Sequence, residues 1–142
     1  MPEQPPSIHP LRVLIVDDQA FARRALVALL SLDESIEIVG EAADGDEAIR
    51  LAGRHSPHVV VMDIEMPVMD GMEATRRITR AWPHVHVVIF SMHDEWRERA
   101  LAEGAHAFVA KSESPDRLLE LLSQLHGALS DATPFERNRG PR

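Results

Sequence analysis

The 142-residue sequence contains no cysteine, so disulfide bonds, thiolate-bound metals and thiol nucleophiles play no part in its chemistry. Long apolar stretches are also missing. No apolar run approaches the ~20 residues that cross a bilayer as a helix, and residues 1–10 lack the apolar core of a signal peptide. We therefore expect a cytoplasmic protein that makes no contact with membranes.

Positive charge is scarce as well. The 15 Lys and Arg residues are outnumbered by 23 Asp and Glu residues, which gives a formal net charge of −8. Binding to the phosphate backbone requires clustered basic side chains, so we do not expect this chain to bind nucleic acid directly. The hydrophobic content of 44% suffices for one core, and the length fits the ~100–200 residues of a single domain.

The two ends of the chain have no pattern that would build a core. Residues 1–10 contain four prolines and show no periodicity. Residues 130–142 lack the apolar spacing of a helix or a strand. We therefore predict a disordered lead-in over residues 1–10, a folded domain over residues 11–129 and a flexible tail over residues 130–142.

Between these ends, short apolar runs alternate with segments of helical period. The runs are rich in β-branched residues and are not interrupted by polar ones, which is typical of strands buried on both faces. The predicted strands are Val13–Val16, Ile36–Val39, Val59–Met62, Val87–Phe90 and Ala107–Ala110, and the predicted helices are Ala20–Leu30, Asp46–Gly53, Gly71–Trp82, Asp94–Glu103 and Pro115–Leu129. This alternation predicts an α/β domain with a parallel sheet and helices on both of its faces.

Four of the predicted strands end on a chemically reactive side chain. The first strand ends on Asp17 and Asp18, the third on Asp63, the fourth on Ser91 and the fifth on Lys111. In a parallel sheet the C-terminal strand ends lie along one edge, where such folds bind their ligands. We therefore expect one site that combines three carboxylates, a hydroxyl group and an ammonium group.

Three neighbouring carboxylates require a cation. At an effective dielectric constant of about 20, each pair a few ångströms apart repels by about 4 kcal/mol. Oxygen ligands without cysteine favour the hard cation Mg²⁺, which often completes its shell with water and phosphate oxygens. A carboxylate can itself attack phosphorus and form an aspartyl-phosphate. We predict that the central Asp63 is this nucleophile.

The ordered set of motifs resembles the receiver domain of bacterial two-component response regulators. The motifs are Asp17-Asp18, MDIEMPVMDG, FSMHDE and GAHAFVAKS, spread over about residues 11–129. The chain is most similar to receivers that precede helix-turn-helix output domains. The resemblance implies a flavodoxin-like (βα)₅ doubly wound parallel sheet with the strand order 2-1-3-4-5. It also implies that the phosphohistidine of a histidine kinase or of a phosphotransfer protein donates its phosphoryl group to Asp63 in a Mg²⁺-dependent reaction.

The same resemblance assigns the ligands of the metal ion. Asp18 and Asp63 would bind Mg²⁺ directly, and Asp17 would bind it mainly through water. The backbone carbonyl group of Glu65, two residues past the nucleophile Asp63, would be a further ligand. The Glu65 side chain and His93 would flank the path of attacking water and so tune how long the phosphoryl group persists.

The resemblance also implies a switch. Ser91 would form a hydrogen bond to the phosphoryl group, and Lys111 would pair with one of its oxygens. Phe108 would then swing inward from a more exposed position. The face built by Asp94–Glu103, Ala107–Ala110 and Pro115–Leu129 would change and control dimerisation or the binding of a partner.

Three other functions stay open at this point. The chain could be the receiver part of a longer DNA-binding transcriptional regulator. It could be a Mg²⁺-dependent phosphohydrolase, although Glu65 stands where phosphatases of the haloacid dehalogenase type have a second aspartate. It could also be a degenerate receiver that serves as a scaffold. We expect the chain to catalyse only its own phosphorylation and dephosphorylation.

Overall fold

The computed structural model describes residues 9–131, which form a five-stranded parallel sheet between two layers of helices. The strands are β1 (Leu11–Val16), β2 (Ile36–Ala42), β3 (Val59–Met62), β4 (His86–Ser91) and β5 (Ala107–Ala110). The helices are α1 (Ala20–Leu30), α2 (Gly45–His55), α3 (Gly71–Ala81), α4 (Arg97–Ala102) and α5 (Pro115–Asp131). The strand order β2-β1-β3-β4-β5 confirms the predicted flavodoxin-like arrangement.

Residues 1–8 and 132–142 lie outside the described part of the chain. Most of the predicted lead-in and tail falls there, so the boundaries of the folded domain stay predictions. Among the described helices, none is long and apolar enough to span a lipid bilayer.

The core consists of two apolar layers, one on each face of the sheet. Successive residues of a strand point to opposite faces. In β1, Leu14 and Val16 face the layer beneath α2, α3 and α4, whereas Val13 and Ile15 face the layer beneath α1 and α5. Full burial of such a side chain contributes about 1.5–3 kcal/mol. The unalternated apolar runs of the sequence are therefore explained by burial on both faces.

Strand β2 departs from the prediction in length and in burial. It continues to Ala42, past the predicted end at Val39, because a β-bulge accommodates one extra residue. Val13 pairs with Ile38 and Leu14 pairs with Gly40, which leaves Val39 without a partner in β1. The expectation of burial on both faces is wrong for β2, because this strand lies at the edge of the sheet and most of its residues are partly exposed.

The predicted helix Asp94–Glu103 is divided in two. A single 3₁₀ turn over Asp94–Trp96 precedes α4, and its N-cap residue His93 makes no capping hydrogen bond through its side chain. The backbone N–H of Trp96 donates to the carbonyl oxygen of His93 at 3.3 Å. Without a side-chain cap, the first turn is tightened by i→i+3 bonds. The regular helix therefore begins only at Arg97.

Candidate functional site

Three aspartate side chains meet at the C-terminal edge of the sheet. Asp17 and Asp18 follow β1, Asp63 follows β3, and these two strands pair directly. Carboxylate oxygens of the three residues lie within 4.8 Å of one another. Among residues 9–131 they form the single cluster of three or more carboxylate or histidine groups with that spacing. The structure thus brings together the three carboxylates that the strand ends predicted.

The ammonium group of Lys111 reaches this cluster from the end of β5. Its Nζ atom lies 2.9 Å from Oδ2 of Asp17 and 3.9 Å from Oδ2 of Asp63. The other oxygen of Asp17 accepts a hydrogen bond from the backbone N–H of Gln19 at 2.9 Å. Both oxygens of the buried Asp17 are therefore engaged. In the described part of the chain no such bond involves the Asp18 side chain, which leaves its carboxylate available to a cation.

Burial and neighbouring charge act in opposite directions on Asp63. The pKa of its carboxyl group is raised from the ordinary 3.8 to about 6, and burial is the largest cause. The positive charge of Lys111 opposes this rise, the negative charges of Asp17 and Asp18 add to it, and a hydrogen bond from the backbone N–H of Ile64, at 2.8 Å, opposes it. The carboxyl group is thus ionised in most molecules at neutral pH, yet its charge is poorly solvated.

The sharp turn after Asp63 depends on Gly71. A Cβ atom at this position would lie 1.9 Å from the carbonyl oxygen of Asp63, so no residue other than glycine fits. The backbone N–H of Gly71 also donates to the carbonyl oxygen of Ile64 at 2.8 Å. Asp70 caps α3 by accepting a hydrogen bond from the N–H of Glu73 at 2.9 Å. Helix α3 therefore begins directly against the backbone of Asp63.

Ser91 and Phe108 lie on the same face of the sheet. Ser91 pairs with Ala110, and Phe108 pairs with Ile89 in the neighbouring strand. Ser91 is fully buried, and its Oγ atom accepts a hydrogen bond from the backbone N–H of His93 at 3.0 Å. Phe108 is only 6% exposed. The expectation that Phe108 starts from a more exposed position is therefore wrong, because its ring already belongs to the apolar layer beneath α4.

Glu65 and His93 lie at the cleft that contains Asp63 and Lys111, as predicted for groups that flank attacking water. Nε2 of His93 is 3.2 Å from Oε1 of Glu65, and Nδ1 of His93 is 3.6 Å from Oε2 of Glu95. The two side chains therefore contact each other across the cleft. Their effect on the phosphoryl group and the metal-binding role of the Glu65 carbonyl stay predictions.

Two arginines that the sequence did not single out support the site. Nη1 of Arg23 donates to the carbonyl oxygen of Asp17 at 2.7 Å, and its Nε donates to Oε1 of Glu41 at 3.1 Å. Arg97 contacts the carbonyl oxygen and the ring of Phe108. The position of Arg23, in the first turns of the helix that follows the aspartate pair, is the one feature of the sequence that would have indicated its role. Nothing in the pattern distinguished Arg97 from a solvent-exposed arginine.

The fold and the site define an α/β domain of the flavodoxin-like class with a cluster of carboxylates at the C-terminal edge of its sheet. The model of the response regulator receiver domain family matches residues 13–123. This chain therefore belongs to the response regulator receiver domains of two-component systems.

The curated relatives that this chain matches are longer proteins. The chain is 45% identical over 113 residues to a protein-glutamate methylesterase/protein-glutamine glutaminase of Myxococcus xanthus, with 75% of this chain and 32% of the relative covered. It spans less than half of the length of the first curated relatives that it matches.

Solved structures show the same likeness. A LuxR-family two-component response regulator from Aurantimonas sp. superposes with a TM-score of 0.80 at 32% identity, over 84% of this chain and 86% of the other. A chain of the CheX–CheY–BeF₃–Mg²⁺ complex from Borrelia burgdorferi superposes with a TM-score of 0.76 at 29% identity, over 82% of this chain and 90% of the other.

Proposed function

We propose that this domain accepts a phosphoryl group on Asp63 from the phosphohistidine of a histidine kinase or of a phosphotransfer protein. The observation that carries the proposal is the convergence of Asp63 with two further carboxylates and with Lys111 at the end of neighbouring strands. Such a cluster stabilises the folded domain little by itself, because the carboxylates repel one another. It is suited to a ligand that carries both positive and negative charge, as a metal ion with a phosphoryl group does.

The transfer is a displacement at phosphorus by a carboxylate oxygen. One oxygen of Asp63 is held by the N–H of Ile64 at 2.8 Å, which orients the other towards the cleft. As this oxygen bonds to phosphorus, the bond from phosphorus to the donor's imidazole breaks. The imidazole keeps the electron pair and takes up a proton. The pKa of about 6 leaves most Asp63 carboxyl groups ionised, and therefore nucleophilic, at neutral pH.

Receiver domains bind Mg²⁺ at an acidic pocket, and the donor set here fits that ion. Asp17, Asp18 and Asp63 supply hard oxygen ligands within 4.8 Å of one another, and we assign the backbone carbonyl of Glu65 as a further ligand. When bound, the ion supplies positive charge that offsets the carboxylates and the phosphoryl oxygens. We propose that Lys111, released from Asp17, pairs with one phosphoryl oxygen and that the Ser91 hydroxyl donates to another.

Incubation with acetyl phosphate and Mg²⁺ tests this proposal. The intact mass of the wild type should rise by one phosphoryl group, and EDTA should prevent the increase. Asp63→Asn should stay unlabelled, whereas Asp46→Asn, which alters an exposed carboxylate in the first turn of α2, should be labelled like the wild type. An Asp63→Asn protein that took up the label to the full extent would refute the assignment.

The output of the domain is a separate question. Relatives named as a methylesterase/glutaminase and as a LuxR-family regulator both share the receiver. The proposal therefore covers the phosphoryl transfer and the change of the face formed by α4, β5 and α5. A DNA-binding regulator that contains this receiver is compatible with it.

A further inference from the structure

Arg97, the first residue of α4, makes two contacts to Phe108. Its Nη1 atom donates to the carbonyl oxygen of Phe108 at 3.1 Å. The centre of its guanidinium group lies 4.8 Å from the centre of the Phe108 ring, within the range of a cation–π contact. One side chain of α4 thus binds both the backbone and the ring of a single residue of β5.

These contacts are the last in a series of interactions that connects Ser91 to Phe108. The N–H of His93 donates to Oγ of Ser91 at 3.0 Å, and His93 is the N-cap of the 3₁₀ turn that leads into Arg97. If the Ser91 hydroxyl group turns towards a phosphoryl group on Asp63, the hydrogen bond from His93 is lost. The 3₁₀ turn is then free to shift, whereas the guanidinium group of Arg97 keeps its two contacts to Phe108.

We infer that Arg97 is a positioning residue that holds Phe108 buried and couples it to the Ser91 loop. This inference rests on the proposed phosphorylation of Asp63. The inward position of Phe108, which the family resemblance associates with the phosphorylated state, is already populated here because Arg97 stabilises it. Phosphorylation then moves the segment from Ser91 to the 3₁₀ turn, while the ring of Phe108 and the Arg97 contacts that hold it stay in place.

Beryllofluoride with Mg²⁺, a mimic of the phosphoryl group, provides the test on the full chain. A ligand binds more weakly when the competent arrangement of the protein is less populated. Arg97→Gln should therefore weaken beryllofluoride binding by roughly fivefold, the lower end of ordinary coupling between sites. Arg97→Lys, which keeps the charge but not the planar group, should fall between this variant and the wild type. Calorimetry measures the affinity of each.

Arg99→Gln is the matched control, because Arg99 lies two residues along the same helix and its guanidinium group is 5.6 Å from the ring of Trp96 rather than that of Phe108. It should bind beryllofluoride as the wild type does. The NMR signals of the Phe108 ring should move in ligand-free Arg97→Gln and stay unchanged in Arg99→Gln. They should move little when the wild type binds beryllofluoride.

The outcomes separate the two proposals. A wild type that takes no label from acetyl phosphate on Asp63 would overturn the proposed function itself. A labelled wild type with equal or tighter beryllofluoride binding in Arg97→Gln would overturn the role of Arg97 alone. A loss of stability in urea without a loss of affinity would show that Arg97 is merely structural, which also contradicts the inference.

Discussion

At the scale of single residues, the environment of the Asp63 carboxyl group disfavours its ionised form. Its burial and its two acidic neighbours favour the protonated form, and Lys111 only partly compensates. The ammonium group of Lys111 lies 1 Å closer to Asp17 than to Asp63, as the distances of 2.9 Å and 3.9 Å show. Ionisation of Asp63 is therefore unfavourable for the folded state, and we attribute the retention of this charge to the proposed phosphoryl transfer.

This imbalance predicts a pH-dependent stability. The pKa of Asp63 is about 6 in the folded state against 3.8 for an ordinary aspartate, so the folded state binds this proton more tightly. Ionisation therefore destabilises the fold as the pH rises through about 6. In EDTA at neutral pH, Asp63→Asn should be more stable than the wild type by roughly 1–3 kcal/mol.

The advantage of Asp63→Asn should shrink as the pH falls and should disappear once Asp63 is protonated in both states. Urea unfolding of both proteins over a series of pH values measures it. A stability difference that does not change with pH would contradict the raised pKa. Asp46→Asn serves as the control, since its carboxylate is exposed.

Glu65 and His93 are predicted to prolong the life of the phosphoryl group. They contact each other at 3.2 Å across the cleft that contains Asp63, where we expect them to restrict the approach of water. Glu65→Ala and His93→Ala should each shorten the half-life of phosphorylated Asp63 by roughly threefold, because closure against water protects reactive intermediates. The double variant should show less than the product of the two effects, as expected for residues in contact.

Radiolabel loss or phosphate release after removal of the donor gives these half-lives. Glu95→Ala provides a comparison, because Glu95 contacts the other nitrogen of His93 at 3.6 Å. Unchanged half-lives in both single variants would show that the two side chains have no kinetic role.

The residues that the sequence could predict are those that interrupt an apolar run. Asp63, Ser91 and Lys111 each end a buried strand, and a polar group in that place requires an explanation. The roles of Arg23 and Arg97 were not predicted, because arginines on helices usually extend into solvent. Their targets are backbone carbonyl oxygens, which leave no trace in the sequence.

At the scale of elements, the loop between β3 and α3 is strained at one residue. Val68 adopts a positive φ of 70°, a region that β-branched residues rarely enter, and its side chain is 84% exposed. The adjacent Met69 accepts a hydrogen bond from the N–H of Gly45 at 3.0 Å, which anchors the loop to the start of α2. The loop that carries Glu65 is therefore fixed at both ends around a strained residue.

Val68→Gly should consequently stabilise the protein. The substitution relieves the strain of the left-handed conformation, which costs an L-residue roughly 1–2 kcal/mol. It also has a cost, because glycine loses about 0.5–1 kcal/mol more conformational entropy on folding. The net gain should be about 0.5–1 kcal/mol in urea unfolding. Val68→Ala, which keeps a Cβ atom, should gain much less. A Val68→Gly protein less stable than the wild type would show that this residue carries no strain.

The elements that the sequence predicted best are those with clear boundaries. Strands β3 and β5 and helix α1 begin and end where the patterns placed them. The division of Asp94–Glu103 was not predictable, because it depends on the absence of a capping bond at His93. The bulge in β2 was not predictable either, because it arises from the register in which β2 pairs with β1.

At the scale of the whole molecule, the central strands of the sheet are packed on both faces, whereas the β5 edge is covered by a short helix. β1 and β3 hold the aspartates and are covered on both faces. β5 lies at the edge, and α4, which packs over it, is a helix of 6 residues. The strand order could be expected from the family resemblance but not from periodicity, because five buried strands fit several orders equally well. We therefore expect a phosphoryl group on Asp63 to alter the β4–β5 side of the sheet more readily than its centre.

Phosphorylation should accordingly strengthen self-association or partner binding through the face formed by α4, β5 and α5. This face carries both signs of charge in the segment HDEWRERALAE, which suits contact with a second copy of the chain. Sedimentation of the wild type with and without beryllofluoride and Mg²⁺ should show the increase. Ser91→Ala should weaken it while Asp63 is still labelled, because the hydroxyl group that senses the phosphoryl group is missing. Hydrogen exchange should change across residues 91–120, and changes confined to the loop after Asp63 would place the output on another face.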